Sequence, residues 1–403
     1  MATPKLALIP TGYKAGKLYS VLPESGVGDF TVVRATEATR VNEAGLIETM
    51  GANVPRLDYS GGGCPVLLTE PQRTNNVLYS QEADNAYWLK SNCTITPNTS
   101  ISPDGTVNAD TLTSTAADSV LYRTSLTTGS LSFFAKNINL TSGNFKIQVD
   151  GVGSANWDKN GNLVSVSGGT ASNGLNYGNG WFRFSYNVLS GSVVNYGITN
   201  STGSESILVY GLQNEPSASY PTSLIKTSGS AVTRNGDQVN GAGDASTFND
   251  SEGVLMAEIS SFVEADNYRI ISLNAGNSTD SIFIGLRNDT GNVYMYMPLD
   301  ATSYISNVNT TNKFTKIALK YKTNDVSFFI NGFKVFTDNT VTLPTGLNQL
   351  DLDYGNPSGS YPFYGNTSQV QYFDSALTDS ELEKLTSWTS FIEMAQALNY
   401  NII

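Results

Sequence analysis

Short runs in which apolar and polar residues alternate, each closed by a cluster of Gly, Asn, Ser or Pro, recur from residue 131 to residue 374. The clearest is DVSFFINGFKVF at 325–336. Val326, Phe328 and Ile330 fall on one side of an extended chain and Ser327, Phe329 and Asn331 on the other, the period-2 pattern of a strand. Asn331-Gly332 tolerates the positive φ angles of a two-residue type I′ turn, so the chain is predicted to return through Phe333–Phe336 as a hairpin. A chain built from such units folds as layered antiparallel sheets, because each strand buries only one face and needs a second sheet to cover it.

Runs of the same kind are LSFFAKNI (131–138), NFKIQVDG (144–151), WFRFSYNVL (181–189) and SILVYGLQ (206–213), separated by turn clusters such as Asn160-Gly161 and Gly178-Asn179-Gly180. Spacing of this kind with no helical period between predicts a first β-sandwich over residues 76–235. GVLMAEISSFV (253–263), YRIISLNAG (268–276), SIFIGLRND (281–289), NVYMYMPL (292–299), FTKIALKYK (314–322), the hairpin and TSQVQYFD (367–374) predict a second over 236–377. The polar, glycine-rich TSGSAVTRNGDQVNGAGD lies between them as a junction. Residues 1–75, broken by Pro55, Gly61 to Gly63, Pro65 and Pro71, are expected to be an irregular N-terminal region. The expected fold class is therefore all-β: two jelly-roll β-sandwich domains in tandem, an irregular start and a short C-terminal helix.

That helix, over 378–403, rests on a change of period. Thr378-x-x-Glu381 is a capping box. Trp388, Phe391, Ala395, Leu398 and Ile402 then recur at helical spacing, with Leu385 and Ile392 beside them. The seam is expected to pack on its own sandwich, with a contact between copies as the alternative.

Composition removes whole classes of function. The chain has no histidine, so Ser-His-Asp and Cys-His arrangements, imidazole bases and His-based zinc sites are excluded. Lys+Arg number 23 against 35 Asp+Glu, a net charge of −12, and no basic cluster stands out, so nucleic acid is not an expected partner. No run of 18 apolar residues suggests membrane insertion, and MATPKLALIP lacks the charged-then-apolar pattern of a signal peptide. Cys64 and Cys93 are too few for a disulfide framework or a zinc site and are expected as two buried thiols.

Three regions of the chain carry a family resemblance. NNVLYSQEADNAYWLKSNCTITPN with SPDGTVNADTL, and later GNGWFRFSYNV with ILVYGLQNEPSASYPTSLIKTSGSAVTR, resemble the opening and closing strands of jelly-roll carbohydrate-binding modules of bacteriophage structural proteins. In the last stretch Gln213-Asn214-Glu215, Pro221-Thr222-Ser223 and Thr233-Arg234 stand in the order expected of that module. FTKIALKYKTNDVSFFINGFKVF and YGNTSQVQYFDSALTDSELEKL are similar to strands and the closing helix of laminin-G-like, concanavalin-type sandwiches. PKLALIPTGYKAGKLYSVLP and VPRLDYSGGGCPVLLTEPQRTN look like a region that phage appendage proteins place before such modules. The resemblance implies a virion protein, a fibre or spike subunit on the particle surface, joined to other virion proteins through residues 1–75 and assembled as a homotrimer. A capsid or head decoration protein without glycan affinity is the alternative reading, and a polysaccharide depolymerase a further one.

Sugars are held by flat aromatic faces and by side chains that hydrogen-bond hydroxyls. DYGNPSGSYPFYGN (353–366) supplies both: Tyr354, Tyr361, Phe363 and Tyr364 beside Asn356, Ser358, Ser360 and Asn366, in a loop broken by Pro357 and Pro362. Tyr354, Asn356, Tyr361, Phe363 and Tyr364 are the candidate contacts to a host-surface glycan, with Tyr294, Tyr296 and Tyr304 as a second candidate row. Trp157 and Trp181 read as core. Asp351 and Asp353 lie two apart and are the candidate ligands for calcium, the one cofactor considered. The same Asp351-x-Asp353 is the nearest approach to the paired acids of a glycosidase, and it contains no glutamate. No catalytic residue is assigned, and no enzymatic activity is expected.

Overall fold

In the computed structural model of the chain, Asn331 and Gly332 take φ angles of 48° and 88°, the left-handed pair that a type I′ turn requires. Val326–Ile330 pairs with Phe333–Asp338, with Ile330 opposite Phe333. Val326, Phe328 and Ile330 enter the main core, while Phe329 packs on the other face with Leu377 and Leu382. A Cβ at Gly332 would stand 2.5 Å from Ser387 Oγ. Gly332→Ala is therefore expected to cost about 1–2 kcal/mol through the left-handed φ and the contact, read as a lower urea midpoint at unchanged m value.

The structure describes residues 2–262, 268–287, 292–309, 313–356 and 358–397. Val263, Asn288, Asp289, Pro357, Leu398 and Ile402 of the elements predicted above lie outside the described residues. The chain forms two compact units: Met1–Ala35, Gly51–Pro71 and Gly236–Ile403 make unit 1, and Thr36–Met50 with Gln72–Asn235 make unit 2.

Unit 1 is a sandwich of two antiparallel sheets. Among the described residues the larger runs Phe333–Asp338, Val326–Ile330, Thr315–Lys322, Glu252–Ser261, Gly365–Phe373, Val66–Thr69, Leu57–Asp58, with Leu6–Leu8 also on Gly365–Phe373. The smaller runs Thr302–Asn309, Asn292–Met297, Ser281–Leu286, Arg269–Asn274, Gln349–Asp351. Leu255, Ile259, Leu319 and Tyr372 of one layer meet Ile271, Ile284, Met295 and Leu350 of the other in one buried core. Of residues 1–75, expected as an irregular region of their own, 1–35 and 51–71 are built into this unit and the remainder into unit 2. The apolar triplets Leu6–Leu8 and Val66–Leu68 have no period, yet they satisfy the backbone along one side of Gly365–Phe373 in two halves. A three-residue strand is too short for alternation to reveal it.

A buried ionic cluster ties the three chain segments of unit 1 together. Asp237 accepts from Arg34 Nη1 at 2.8 Å, from Arg56 Nη2 and from the Glu70 amide at 2.8 Å. Arg56 also pairs with Glu70, and Arg34 donates to the Gly51 and Val54 carbonyls at 2.8 and 3.1 Å. All four side chains are at most 3 % exposed. Burial disfavours the Arg56 charge, but Asp237 and Glu70 outweigh it and hold the guanidinium pKa above its ordinary value.

Unit 2 stacks a six-stranded sheet, in the order Leu89–Ser91, Ser119–Arg123, Val194–Thr199, Asn144–Val149, Gly153–Trp157, Leu163–Val166, on a seven-stranded one. The latter runs Cys93–Ile101, Val107–Ser114, Ser206–Pro216, Gly129–Asn137, Trp181–Asn187, Thr170–Ala171, with Leu175–Asn176 beside Trp181–Asn187. Trp157, Phe133, Phe145 and Phe184 fill the space between the sheets, and Trp181 packs on the other face with Phe134 and Tyr210. Both tryptophans are core, as read from the sequence. The residues that suggested a carbohydrate-binding module converge on a buried polar clasp. Glu215 accepts from Gln213 Nε2 at 2.6 Å, Thr222 N at 2.9 Å and Thr222 Oγ1 at 2.5 Å, while Arg234 donates to Thr222 Oγ1 and Ser223 Oγ.

The boundary between the units falls at Asn235/Gly236, inside the glycine-rich junction. That stretch is not a free linker, because Val232–Arg234 pairs with Arg73–Asn75 and Gln238–Asn240 with Phe30–Val33. Two other expectations change. The thiols are not both buried: Cys64, in a loop of glycines, is exposed, and Cys93 is half-buried. The C-terminal helix is two helices, α1 (Asp379–Thr386) and α2 (Phe391–Ala397). The capping box at Thr378 forms. Thr386 and Ser387 then turn their hydroxyls back onto the Leu382 and Glu383 carbonyls, and Ser387 is extended. Such back-bonding competes with helix propagation, and Trp388 lies between the helices under the Lys316 ammonium, 4.5 Å from the ring centre.

Candidate functional site

The smaller sheet of unit 1 places the candidate aromatics. Its alternation sends Val293, Met295 and Met297 into the core and leaves Tyr294 and Tyr296 on the opposite, outer face. Register aligns Asp351, Ser272, Phe283 and Tyr296 across four adjacent strands on that face. The rings stack: Tyr294 on Tyr296 with centres 6.1 Å apart, Tyr296 on Phe283 at 6.2 Å, and Phe283 on Tyr354 at 4.5 Å and 22° between planes.

The loop from Asp353 extends this run to solvent. Tyr361 meets Tyr354 edge-on at 5.3 Å and Tyr268 edge-on at 5.7 Å, and Tyr268 in turn lies 5.4 Å from Tyr294. Tyr361 is 39 % exposed and sits at φ 54°, a left-handed conformation unusual for an aromatic residue. Its carbonyl accepts from the Ile270 amide at 3.3 Å, which anchors the strained residue to the sheet. Strain of this kind is maintained where the surroundings over-determine it and clusters at binding sites. Asn356 shapes the same loop: its Oδ1 accepts from Ser358 Oγ at 2.8 Å and from the Ser360 amide at 3.2 Å. Burial first, then neighbouring tyrosines, raise the Tyr294 and Tyr354 pKa values, so both phenols remain neutral donors near pH 7.

On its other flank the loop lines an open polar cleft of about 490 Å³, which includes Asn240, Gln349, Asp351, Asp353, Asn356 and Ser358. The two acids are organised by amides. Asp351 accepts from Gly241 N at 2.6 Å, Asn274 Nδ2 at 2.9 Å and Gln349 Nε2 at 3.0 Å. Asp353 accepts from Gly355 N at 2.7 Å and Asn240 Nδ2 at 2.6 Å. Burial raises both pKa values, and proximity to Asp351 helps to push Asp353 up to about 6. Among the described residues, no group of three or more His, Cys, Asp or Glu side chains is arranged to hold a metal ion.

The raised Asp353 pKa has a signed consequence. The folded state binds this proton more tightly than the unfolded chain, so the stability it confers is complete below about pH 4 and is lost as pH rises through 6. Wild type is therefore expected to lose about 2–3 kcal/mol between pH 4 and pH 8 relative to Asp353→Asn. Asn240, whose Oδ1 has no donor, can turn its amide to meet the new carboxamide. Denaturation midpoints of both proteins across that range check this, and parallel curves would contradict it.

The sequence candidates separate as follows. Tyr354, Asn356 and Tyr361 come together with Tyr294 and Tyr296, uniting most of the two rows. Phe363 is a correction: at 1 % exposure it belongs to the core, because its amide donates to the Leu352 carbonyl at 2.8 Å and fixes the ring inward. Tyr364 is half-buried beneath the Arg269 guanidinium, 5.0 Å from the ring centre. Tyr304 faces the core side, against Phe328 and Phe336. Tyr268 and Phe283 were missed. Each stood in a predicted strand, but only the cross-strand register shows that they bridge the two rows.

Unit 1 is thus a β-sandwich with an aromatic outer face. Residues 244–383 match the model of a laminin G domain family described as the concanavalin A-like lectin/glucanases superfamily. No curated protein matches the chain. Among solved structures, the chain is similar to the CBM40 domain of a Ruminococcus gnavus IT-sialidase bound to α2,3-sialyllactose, at 19 % identity, covering 37 % of this chain and 94 % of that one, with TM-score 0.30. Domain 4 of a GH43 extracellular arabinanase from Geobacillus stearothermophilus, in complex with arabinotriose, is 16 % identical over 38 % of this chain and 73 % of that one, with TM-score 0.30. A carbohydrate-binding protein assigned in Bacteroides ovatus is 14 % identical over 67 % of this chain and 78 % of that one, with TM-score 0.27. What the surface can do follows from its own residues.

Proposed function

We propose that this chain is a non-catalytic glycan-binding protein of a bacteriophage virion, an exposed fibre or spike subunit that engages sugars on the host surface. The observation that carries the binding role is the run of rings from Tyr294 to Tyr361, which ends on an exposed, conformationally fixed tyrosine next to a polar cleft. Tyr361 offers an aromatic ring surface to the C–H face of a sugar, while Asn356, Ser358 and Gln349 supply hydroxyl partners. The virion role is supported by the sequence resemblance of residues 1–75 to a region of phage appendage proteins and of the first sandwich to modules of phage structural proteins. Assembly as a homotrimer would let weak single sites act together, since tethering raises effective concentration.

A glycan array tests the binding role. Wild-type protein is expected to bind, Tyr361→Ala to lose at least about tenfold in affinity, equivalent to about 1.4 kcal/mol, and Phe333→Ala, an exposed aromatic change on the other sheet, to bind as wild type. A blank array would favour a decoration protein. Release of reducing ends from host capsular polysaccharide, abolished by Asp351→Asn, would show a depolymerase instead. The virion role fails if the protein is absent from purified particles.

A further inference from the structure

Unit 2 carries a second pocket of different chemistry. Lys136 and Trp181 stand opposite each other on the paired strands Gly129–Asn137 and Trp181–Asn187, so their side chains leave the same face of the sheet. Trp181 is 3 % exposed and held by Phe134, Leu208 and Tyr210. The Lys136 stem lies along Gly180, where a Cβ would come 3.3 Å from Lys136 Cε. Both side chains line a pocket of about 270 Å³ together with Tyr177, Asn179, Leu46 and Ile101.

Two donors are left over there. Among the described residues, neither the Lys136 ammonium nor the Trp181 indole N–H has a protein partner. The Trp181 ring is buried, but its N–H is not among the polar atoms sealed from solvent without a partner, so it opens onto the pocket beside the half-buried Lys136 ammonium. No carboxylate lines the pocket, although the chain carries a net charge of −12. An occupant that brings an acceptor to these two donors, and a negative charge on it, is therefore favoured. Ile101, 58 % exposed, and the Tyr177 ring give the remainder of the wall an apolar character suited to C–H groups. The volume lies just below the range of about 300–1,000 Å³ usual for ligand sites and suits one ring rather than a chain.

We infer that this pocket binds a carboxylate-bearing sugar residue of the uronic acid class, its carboxylate bridging Lys136 Nζ and Trp181 Nε1 and its ring resting on Ile101 and Tyr177. The choice of a sugar over another carboxylate rests on the glycan-binding reading above; the anion preference does not. The site would give the protein a second contact on an acidic polysaccharide, separate from the tyrosine surface of unit 1.

The test uses the full chain labelled with ¹⁵N, whose Trp181 indole N–H signal is assigned by its loss in Trp181→Phe, or by its shift in Lys136→Gln should that variant not fold. Glucuronate, glucose and acetate are titrated in turn. Glucuronate is expected to shift the Trp181 signal saturably, with a Kd at least about tenfold below those of glucose and acetate, and to weaken as salt is raised. Lys136→Gln is expected to remove the preference over glucose, and Tyr361→Ala to leave the titration unchanged. Equal responses to glucuronate and acetate would overturn the sugar assignment, and equal responses to glucuronate and glucose the role of the charge. Absence of a Trp181 shift while the array still shows Tyr361-dependent binding would sink this inference alone and leave the unit 1 reading standing.

Discussion

Asp237→Ala is expected to destabilise unit 1 by about 3–5 kcal/mol, the usual penalty for removing one member of a buried ion pair. The substitution takes an acid from both Arg56, which keeps Glu70 among its partners, and Arg34, which keeps the Gly51 and Val54 carbonyls among its own, in a site where both residues are about 1 % exposed. Neither arginine can shed its proton to relieve the cost. Because Asp237 also accepts the Glu70 amide, the loss reaches the backbone that leads out of Val66–Thr69. Hydrogen exchange of Glu252–Ser261 and Thr315–Lys322 reports unit 1 specifically, and an apparent midpoint lower by about 6–20 °C is expected for a unit of this size. A change below about 1 kcal/mol would mean that the cluster is effectively solvated and does not hold the three chain segments together.

Glu215→Ala is expected to have a comparable effect on unit 2, about 3–5 kcal/mol. Glu215 is fully buried and accepts three hydrogen bonds from Gln213 and Thr222. Burial raises its pKa, against the pull of Thr222 and of the nearby Arg183 and Arg234. Without the carboxylate, the Arg234 guanidinium, 1 % exposed, loses a nearby negative charge, with the hydroxyls of Thr222 and Ser223 among the partners it keeps. Thr222→Val, which removes one hydroxyl and leaves the charges in place, should cost only about 1–2 kcal/mol. Exchange protection of Gly129–Asn137 and Ser206–Pro216 separates the two outcomes. Equal, small effects from both variants would show that the clasp is held by backbone pairing alone.

Local signals in this chain were legible and long-range ones were not. The Asn331-Gly332 turn and the Thr378/Glu381 capping box are encoded within four residues, and both formed. Alternation identified the central strands because a half-buried strand has to alternate. It could not show that Leu6–Leu8 and Val66–Thr69 complete the larger sheet of unit 1, since short strands have no measurable period and their pairing partner lies hundreds of residues away. The helix break at Ser387 had a readable sign: Ser390-x-x-Glu393 has capping-box spacing, and the Ser390 hydroxyl accepts from the Glu393 amide at 3.1 Å, while the Glu393 carboxylate accepts from the Thr389 amide at 2.6 Å. For the site, composition pointed to the loop at 353–366 but could not distinguish an outward ring from an inward one. Phe363 and Tyr361 are two residues apart, and only the tertiary hydrogen bonds of their backbones send one to the core and the other to solvent. The bridging roles of Tyr268 and Phe283 depend on cross-strand register, which no single strand contains.

The most direct measurement is a crystal structure of the full chain with the glycan that binds it most tightly. An intact sugar with its C–H face against Tyr361, beside Tyr354 and with hydroxyls toward Asn356, is the predicted result. A sugar bound away from this outer face, or a cleaved product at Asp351 and Asp353, would contradict it.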